Sequence, residues 1–155
     1  MVRAGVGGAE LEPVKTVRRT PDVSLEEIFL RAAAGLPGPE DYRGEVVAEA
    51  LGYLQEGFGA HYTIGTATDD AILVGDHAYA RAVETIARLD EPRFIEVASR
   101  MIRDGAGEIS RGNAVSLELW TTHLAQLLGV ISDESEERSE ERIEVAIGEV
   151  KGASQ

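Results

Sequence analysis

Paired carboxylates stand in this chain at spacings that suit the capture of a hard cation. Asp69 and Asp70 stand side by side, and Glu136, Glu137, Glu140 and Glu141 form two pairs about one helical turn apart. Oxygen ligands of this kind suit magnesium. The aspartate pair is followed by Ala71, Ile72 and Leu73, so no third carboxylate reaches it at helical spacing. The pair therefore reads as a helix cap, with Asp69 and Asp70 kept only as weak metal candidates. The glutamate pairs read as the solvated, dipole-complementing start of a helix. His123 is one of 3 histidines and has no second at i+4, which makes it a hydrogen-bonded helix-face residue and not a metal ligand. Trp120 reads as a core or interface anchor.

The elements that hold these residues are helices. Between Asp69 and Gly112, apolar residues recur at Ile72, Tyr79, Val83 and Ile86, then at Phe94, Ala98, Met101 and Ile102, the spacing of two amphipathic helices. Asp90-Glu91-Pro92 joins them, with Asp90 expected to cap the second helix and Pro92 in its first turn. A regular first helix puts Asp76 in the middle of the apolar stripe, where an unpaired carboxylate is costly. Alternatively Asp76 caps a helix that starts only after Gly75. Upstream, Ser24 and Glu27 match a capping box before Ile28, Phe29 and Ala32, and Gly35-Leu36-Pro37-Gly38-Pro39 breaks that helix. Glu40–Gln55 forms the next, with Val46, Val47, Ala50, Leu51 and Leu54 as its stripe. Gly57–Thr68 reads as a glycine- and threonine-rich loop in which Tyr62, Thr63 and Ile64 briefly extend, closed by a cap at Thr68 or Asp69. Asn113–Leu128 is a further helix ended by Gly129 in the left-handed region. Ser132–Gly148, with the stripe Ile143, Ala146, Ile147 and Val150, is the last. The expected fold is an all-α bundle of about six helices spanning residues 22–150, with a tail at 1–21 and another at 151–155.

Composition narrows the partners. The 155 residues suffice for one core. Cysteine is absent, which rules out disulfides and thiolate metal sites and fits a reducing cytoplasm. With 28 acidic and 15 basic side chains the net charge is −13, which disfavours nucleic acid and anionic membrane surfaces. A salty cytoplasm would favour the same acidity. No apolar run is as long as a membrane span, and no signal-peptide core opens the chain. Lys15, Arg18 and Arg19 make the first segment the one locally basic stretch.

The central hairpin resembles the middle of the trans-polyprenyl diphosphate synthase family. Gly75-Asp76 followed by small and apolar residues, the acidic turn at Asp90-Glu91-Pro92, and Gly107-Glu108 at the end of the second helix carry the likeness, which extends weakly over Asn113–Gly129. The family's magnesium-binding DDxxD motif is not completed at Asp69-Asp70. Its lysine-threonine after the second helix is replaced by Gly112-Asn113-Ala114-Val115. Glu108 puts a carboxylate where an amide would orient diphosphate, and the second aspartate-rich motif has no counterpart before Gln155. Prenyl transfer needs clustered magnesium to stabilise departing pyrophosphate.

The resemblance thus implies a truncated, isoprenoid-synthase-like bundle that acts as the short, non-catalytic small subunit of a two-component hexaprenyl or heptaprenyl diphosphate synthase. Such a subunit has no catalytic residues and binds no cofactor, magnesium being held by the catalytic large subunit that is its partner. In the family this hairpin forms the dimer interface. The likeness therefore implies that Ile72, Asp76, Tyr79, Val83, Ile86, Phe94, Ala98, Met101, Ile102 and Trp120 form the partner interface or the product-tunnel wall. Two alternatives stand beside it. Glu136, Glu137, Glu140 and Glu141 are similar to the magnesium site of all-α nucleotide diphosphohydrolases, although a second carboxylate cluster is missing. The chain could also be a helical homo-oligomeric interaction protein, and an isolated small subunit could pair with itself.

Overall fold

The structure is a computed structural model and describes residues 20–62 and 69–153. Residues 1–19 of the tail expected at 1–21, residues 154–155 of the one expected at 151–155, Thr63, Ile64 and the cap at Thr68 lie outside the described residues. Among the described residues six α-helices follow one another: α1 (Leu25–Ala34), α2 (Tyr42–Tyr62), α3 (Asp69–Ala87), α4 (Pro92–Ser110), α5 (Leu117–Ser132) and α6 (Glu136–Ala153). The all-α bundle expected from the sequence is what forms. Among the described residues no helix is long and apolar enough to cross a membrane.

α2 and α5 are the inner helices. α2 packs on α1, α3, α4 and α5, and α5 on α2, α4, α6 and α1. Their inward stripes, Val47, Leu51, Leu54 and Phe58 on one and Trp120, Leu124, Leu127 and Leu128 on the other, are fully or almost fully buried. α1 adds Leu25, Ile28 and Phe29, α4 adds Phe94, Val97 and Met101, and α6 adds Ile143, Ala146 and Val150. Each large apolar side chain buried in this way contributes about 1.5–3 kcal/mol.

Local signals set most helix ends. Ser24 Oγ accepts from the Glu27 amide at 3.1 Å, while the Glu27 carboxylate pairs with Arg31 at 3.7 Å and does not reach back to close the box. Ser116 Oγ accepts from the Leu119 amide at 3.0 Å and starts α5.

Several boundaries differ from the sequence reading. α2 does not stop at Gln55 but continues through Gly57-Phe58-Gly59 to Tyr62. Gly57 is there for packing: a Cβ on it would lie 2.7 Å from the Tyr79 ring and 3.0 Å from the Gly75 carbonyl oxygen. Glu91, not Asp90, caps α4, its carboxylate accepting from the Arg93 amide at 3.2 Å. Asp90 takes the left-handed conformation, φ 53°, that turns the chain after α3. α5 runs past Gly129 to Ser132, and Asp133, φ 62°, makes the turn assigned to the glycine. α6 begins at Glu136 and runs to Ala153, so Lys151 is helical and not tail.

Ser139, at the buried start of α6 against Gly129 of α5, has a hydroxyl with no hydrogen-bond partner among the described residues. A buried polar group left unpaired costs about 1–3 kcal/mol. Ser139→Ala is therefore expected to be neutral or to stabilise by up to about 1 kcal/mol. A loss above about 1 kcal/mol in urea unfolding would mean that the hydroxyl is satisfied after all.

Candidate functional site

The hairpin α3–α4 is amphipathic in a different register from the one its large apolar residues suggest. α3 lays its small residues, Gly75, Ala78 and Ala82, on α2, together with Thr85 and Ile86. A Cβ on Gly75 would fall 2.0 Å from the His61 ring, so glycine is what lets the two helices approach. Tyr79 turns inward beside them, its ring edge-on to His61 at 4.9 Å. The larger residues of the predicted stripe are split by this packing. Ile86 is buried, whereas Ile72 and Val83 stay 42% and 48% exposed, with Leu73 more open still.

Neither reading of Asp76 holds. α3 runs unbroken through Gly75, so Asp76 is not a cap, and its side chain is 62% exposed, so it is not a buried charge. It meets His61 Nε2 at 3.1 Å, and that nitrogen also lies 3.3 Å from the Ile72 carbonyl oxygen. Asp69 and Asp70 sit exposed in the first turn of α3, where their charge favours the helix start.

α4 buries Phe94, Val97 and Met101. Ile95, Ala98 and Ile102, on its flank, remain half-buried. α3 touches α4 far less than it touches α2, so the hairpin splays. Between its arms runs an apolar groove, with Leu51, Leu54 and Leu127 as floor and Val83, Ile86, Ile95, Ala98 and Ile102 as walls. It encloses only about 20 Å³. That is room for about one water, so a prenyl chain does not fit inside this chain alone.

The sequence reading missed a polar cluster between α4 and α5. His123 is almost fully buried, with Nδ1 3.0 Å from the Leu119 carbonyl oxygen and Nε2 2.9 Å from Asp104 Oδ2. The ring thus bridges an acceptor of its own helix and a carboxylate of α4. Burial opposes the charge of Asp104, but the hydrogen bonds from His123 and Arg103 outweigh it and leave the carboxyl below its ordinary range. Arg100 and Gln126 bridge the same helices at 3.1 Å. Glu108 is occupied by Arg111 and Asn113, which lowers its carboxyl too, the Arg111 hydrogen bond being the larger cause. Trp120 is fully buried beside this cluster, giving its Nε1–H to the Met101 carbonyl at 3.3 Å. It is a core anchor facing α2 and α4, away from the exposed side of the hairpin.

Compared with protein-family models, curated proteins and solved structures, the chain matches none. The geometry of its own residues therefore carries the functional argument. Among the described residues, no group of three or more His, Asp or Glu side chains comes together to hold a metal ion. Glu136, Glu137 and Glu141 are exposed along the outer side of α6, and Glu140 is half-buried beside Ser139.

Ion pairs tie the opposite end of the bundle. Arg142 holds Glu134 at 2.8 and 3.0 Å and donates to the Gly35 carbonyl at 3.0 Å. Arg43 holds Asp41 at 2.7 Å and reaches the Ile131 carbonyl at 3.3 Å. These hydrogen bonds are the largest cause lowering the Glu134 and Asp41 carboxyls. A carboxyl whose folded value lies below its unfolded one contributes stability that is present above the unfolded value, and loses it as pH falls through the folded value. Unfolded Asp and Glu titrate near about 3.9 and 4.3. The urea midpoint is thus expected to hold from pH 7 to about 5 and to drop below about 4, with the double variant Asp41→Asn, Glu134→Gln showing a shallower drop. Equal slopes for the two proteins would assign the acid sensitivity elsewhere.

Proposed function

We propose that this chain is a non-catalytic small subunit of a heterodimeric long-chain polyprenyl diphosphate synthase, working in the cytoplasm and docking through α3–α4 on a catalytic large subunit. The observation that carries the proposal is the apolar outward side of the hairpin. Ile72, Leu73 and Val83 are exposed on α3, and the groove walls Ile95, Ala98 and Ile102 are half-buried on α4. Apolar surface gathered on one element of an acidic, charged chain marks a contact site. The resemblance of Gly75-Asp76 and Gly107-Glu108 to the prenyl synthase hairpin supplies the kind of partner.

In this reading the partner holds magnesium and performs the prenyl transfer. The groove is too small to enclose product, so the hairpin acts as one wall of a tunnel completed between subunits. Bulk at positions such as Val83 and Ile102 then limits how many isoprene units fit. Coexpression with a catalytic long-chain synthase subunit is expected to give a stable complex. Val83→Asp, at an exposed position, is expected to leave the helical content intact and to weaken the complex at least about tenfold, equivalent to about 1.4 kcal/mol. Failure to form a complex, or a complex indifferent to Val83→Asp, would count against this function.

A further inference from the structure

The outward side of α3 is acidic as well as apolar, and its cations have been turned away. Asp69, Ile72, Leu73, Asp76, Val83 and Glu84 are all exposed along it, with the three carboxylates about two helical turns apart. Arg81 and Arg88 of the same helix point to the other side. Arg81 donates to Tyr53 Oη at 2.8 Å and lies 4.8 Å over the Tyr53 ring, and Arg88 approaches Glu49 at 3.9 Å, both partners being on α2. Among the described residues no lysine or arginine pairs with Asp69, Asp76 or Glu84, and Asp76 remains mostly exposed beside His61. Across the groove, α4 adds the exposed Glu96, while its Arg103 turns to Asp104 at 3.4 Å.

We infer that this face receives an amphipathic helix of a different protein, one that carries lysine or arginine interleaved with its apolar residues. A second copy of this chain does not fit. A two-fold contact between antiparallel α3 helices centred near Asp76 sets Asp76 against Asp76 and brings Asp69 within one position of Glu84. Like charges held opposite each other in an interface are costly, and each copy carries a net charge of −13. Anionic lipid is repelled for the same reason. A basic helix instead places its apolar residues over Ile72, Leu73 and Val83 and its cations on the carboxylates, the helix-in-groove mode of recognition. The inference rests on the small-subunit reading for the existence of a partner and adds the chemistry of that partner's docking element.

The test uses two labelled helical peptides of about 20 residues with leucine at i, i+4, i+7 and i+11, one flanked by lysine and one by glutamate, titrated with the full chain by fluorescence anisotropy. The lysine peptide is expected to bind saturably and at least about tenfold tighter than the glutamate peptide, with affinity falling as salt rises. The double variant Asp76→Asn, Glu84→Gln is expected to remove most of that preference, and Val83→Asp to weaken binding of the lysine peptide. Equal binding of the two peptides, binding of neither, or a homodimer that Val83→Asp dissolves would each overturn the inference. A stable complex with a catalytic synthase subunit together with no lysine preference would remove this inference and leave the small-subunit function standing. A clear lysine preference with no synthase complex would do the reverse.

Discussion

Replacing Trp120 with alanine is expected to lower stability by about 3–5 kcal/mol, a large part of the roughly 5–15 kcal/mol that a domain of this size has. Trp120 is fully buried at the point where three helices meet. Its ring stands edge-on to Phe58 of α2 at 5.2 Å, and its Nε1–H bonds the Met101 carbonyl of α4 at 3.3 Å. Truncation leaves a cavity lined by side chains that α2, α4 and α5 hold in place, so the site has little freedom to collapse. At about 2–4 °C per kcal/mol the melting temperature falls by about 10 °C. Trp120→Phe keeps an aromatic edge there, loses the hydrogen bond and some volume, and is expected to cost less than half as much. Urea and thermal unfolding check both variants. A loss below about 1 kcal/mol for Trp120→Ala would mean that α5 does not dock through this residue.

Gly105→Val is expected to be nearly as damaging, by about 3 kcal/mol, for the opposite reason of too much volume. A Cβ at Gly105 lies 2.5 Å from Cζ and 2.9 Å from Cε2 of Phe58, which is itself fully buried and backed by Trp120. Phe58 has nowhere to go, so α4 must move outward and widen the groove it shares with α3. The comparison is Gly107→Ala, two residues along the same helix. The atoms nearest its Cβ are those of the Arg111 guanidinium, at 3.5 Å or more, and there the helix propensity of alanine is expected to gain up to about 1 kcal/mol. If both variants stabilise, the close contact of α4 with Phe58 is not what requires Gly105.

Glycines elsewhere in the bundle show why part of the fold is legible in the sequence and part is not. Helices α1, α4 and α5 announce themselves through Ser24, Pro92 and the regular return of apolar residues. Gly57 and Gly59 look like loop residues because glycine weakens an isolated helix, yet inside α2 the absence of a side chain at Gly57 is what Tyr79 and Gly75 fill. The same trade misdirects the reading of α3. Periodicity counts large apolar residues and so groups Ile72 and Val83 with Tyr79 and Ile86. Closest packing uses small residues, and Gly75, Ala78 and Ala82 rotate the helix until Ile72 and Val83 face out. Asp76, which fits no core-facing stripe, is comfortable on an outward one.

The pairing of His123 with Asp104 was hidden because the two lie on different helices with no local spacing between them. A signal was nonetheless present: a histidine within the stripe Trp120, Leu124, Leu127 is bound to be buried, and a buried imidazole requires a partner on the helix it faces. Asp104, one turn beyond Met101 on α4, was available for that role.

Prenyl transfer by a catalytic subunit reads out what the hairpin does for another protein. The assay supplies farnesyl diphosphate, isopentenyl diphosphate and magnesium to this chain alone, to a catalytic long-chain synthase subunit alone, and to the two together. Long-chain product from the mixture and none from this chain by itself is the predicted result, with Val83→Asp lowering the yield of the mixture. Product from this chain alone, or a catalytic subunit whose rate and product length are unchanged when the chain is added, would rule out the small-subunit function.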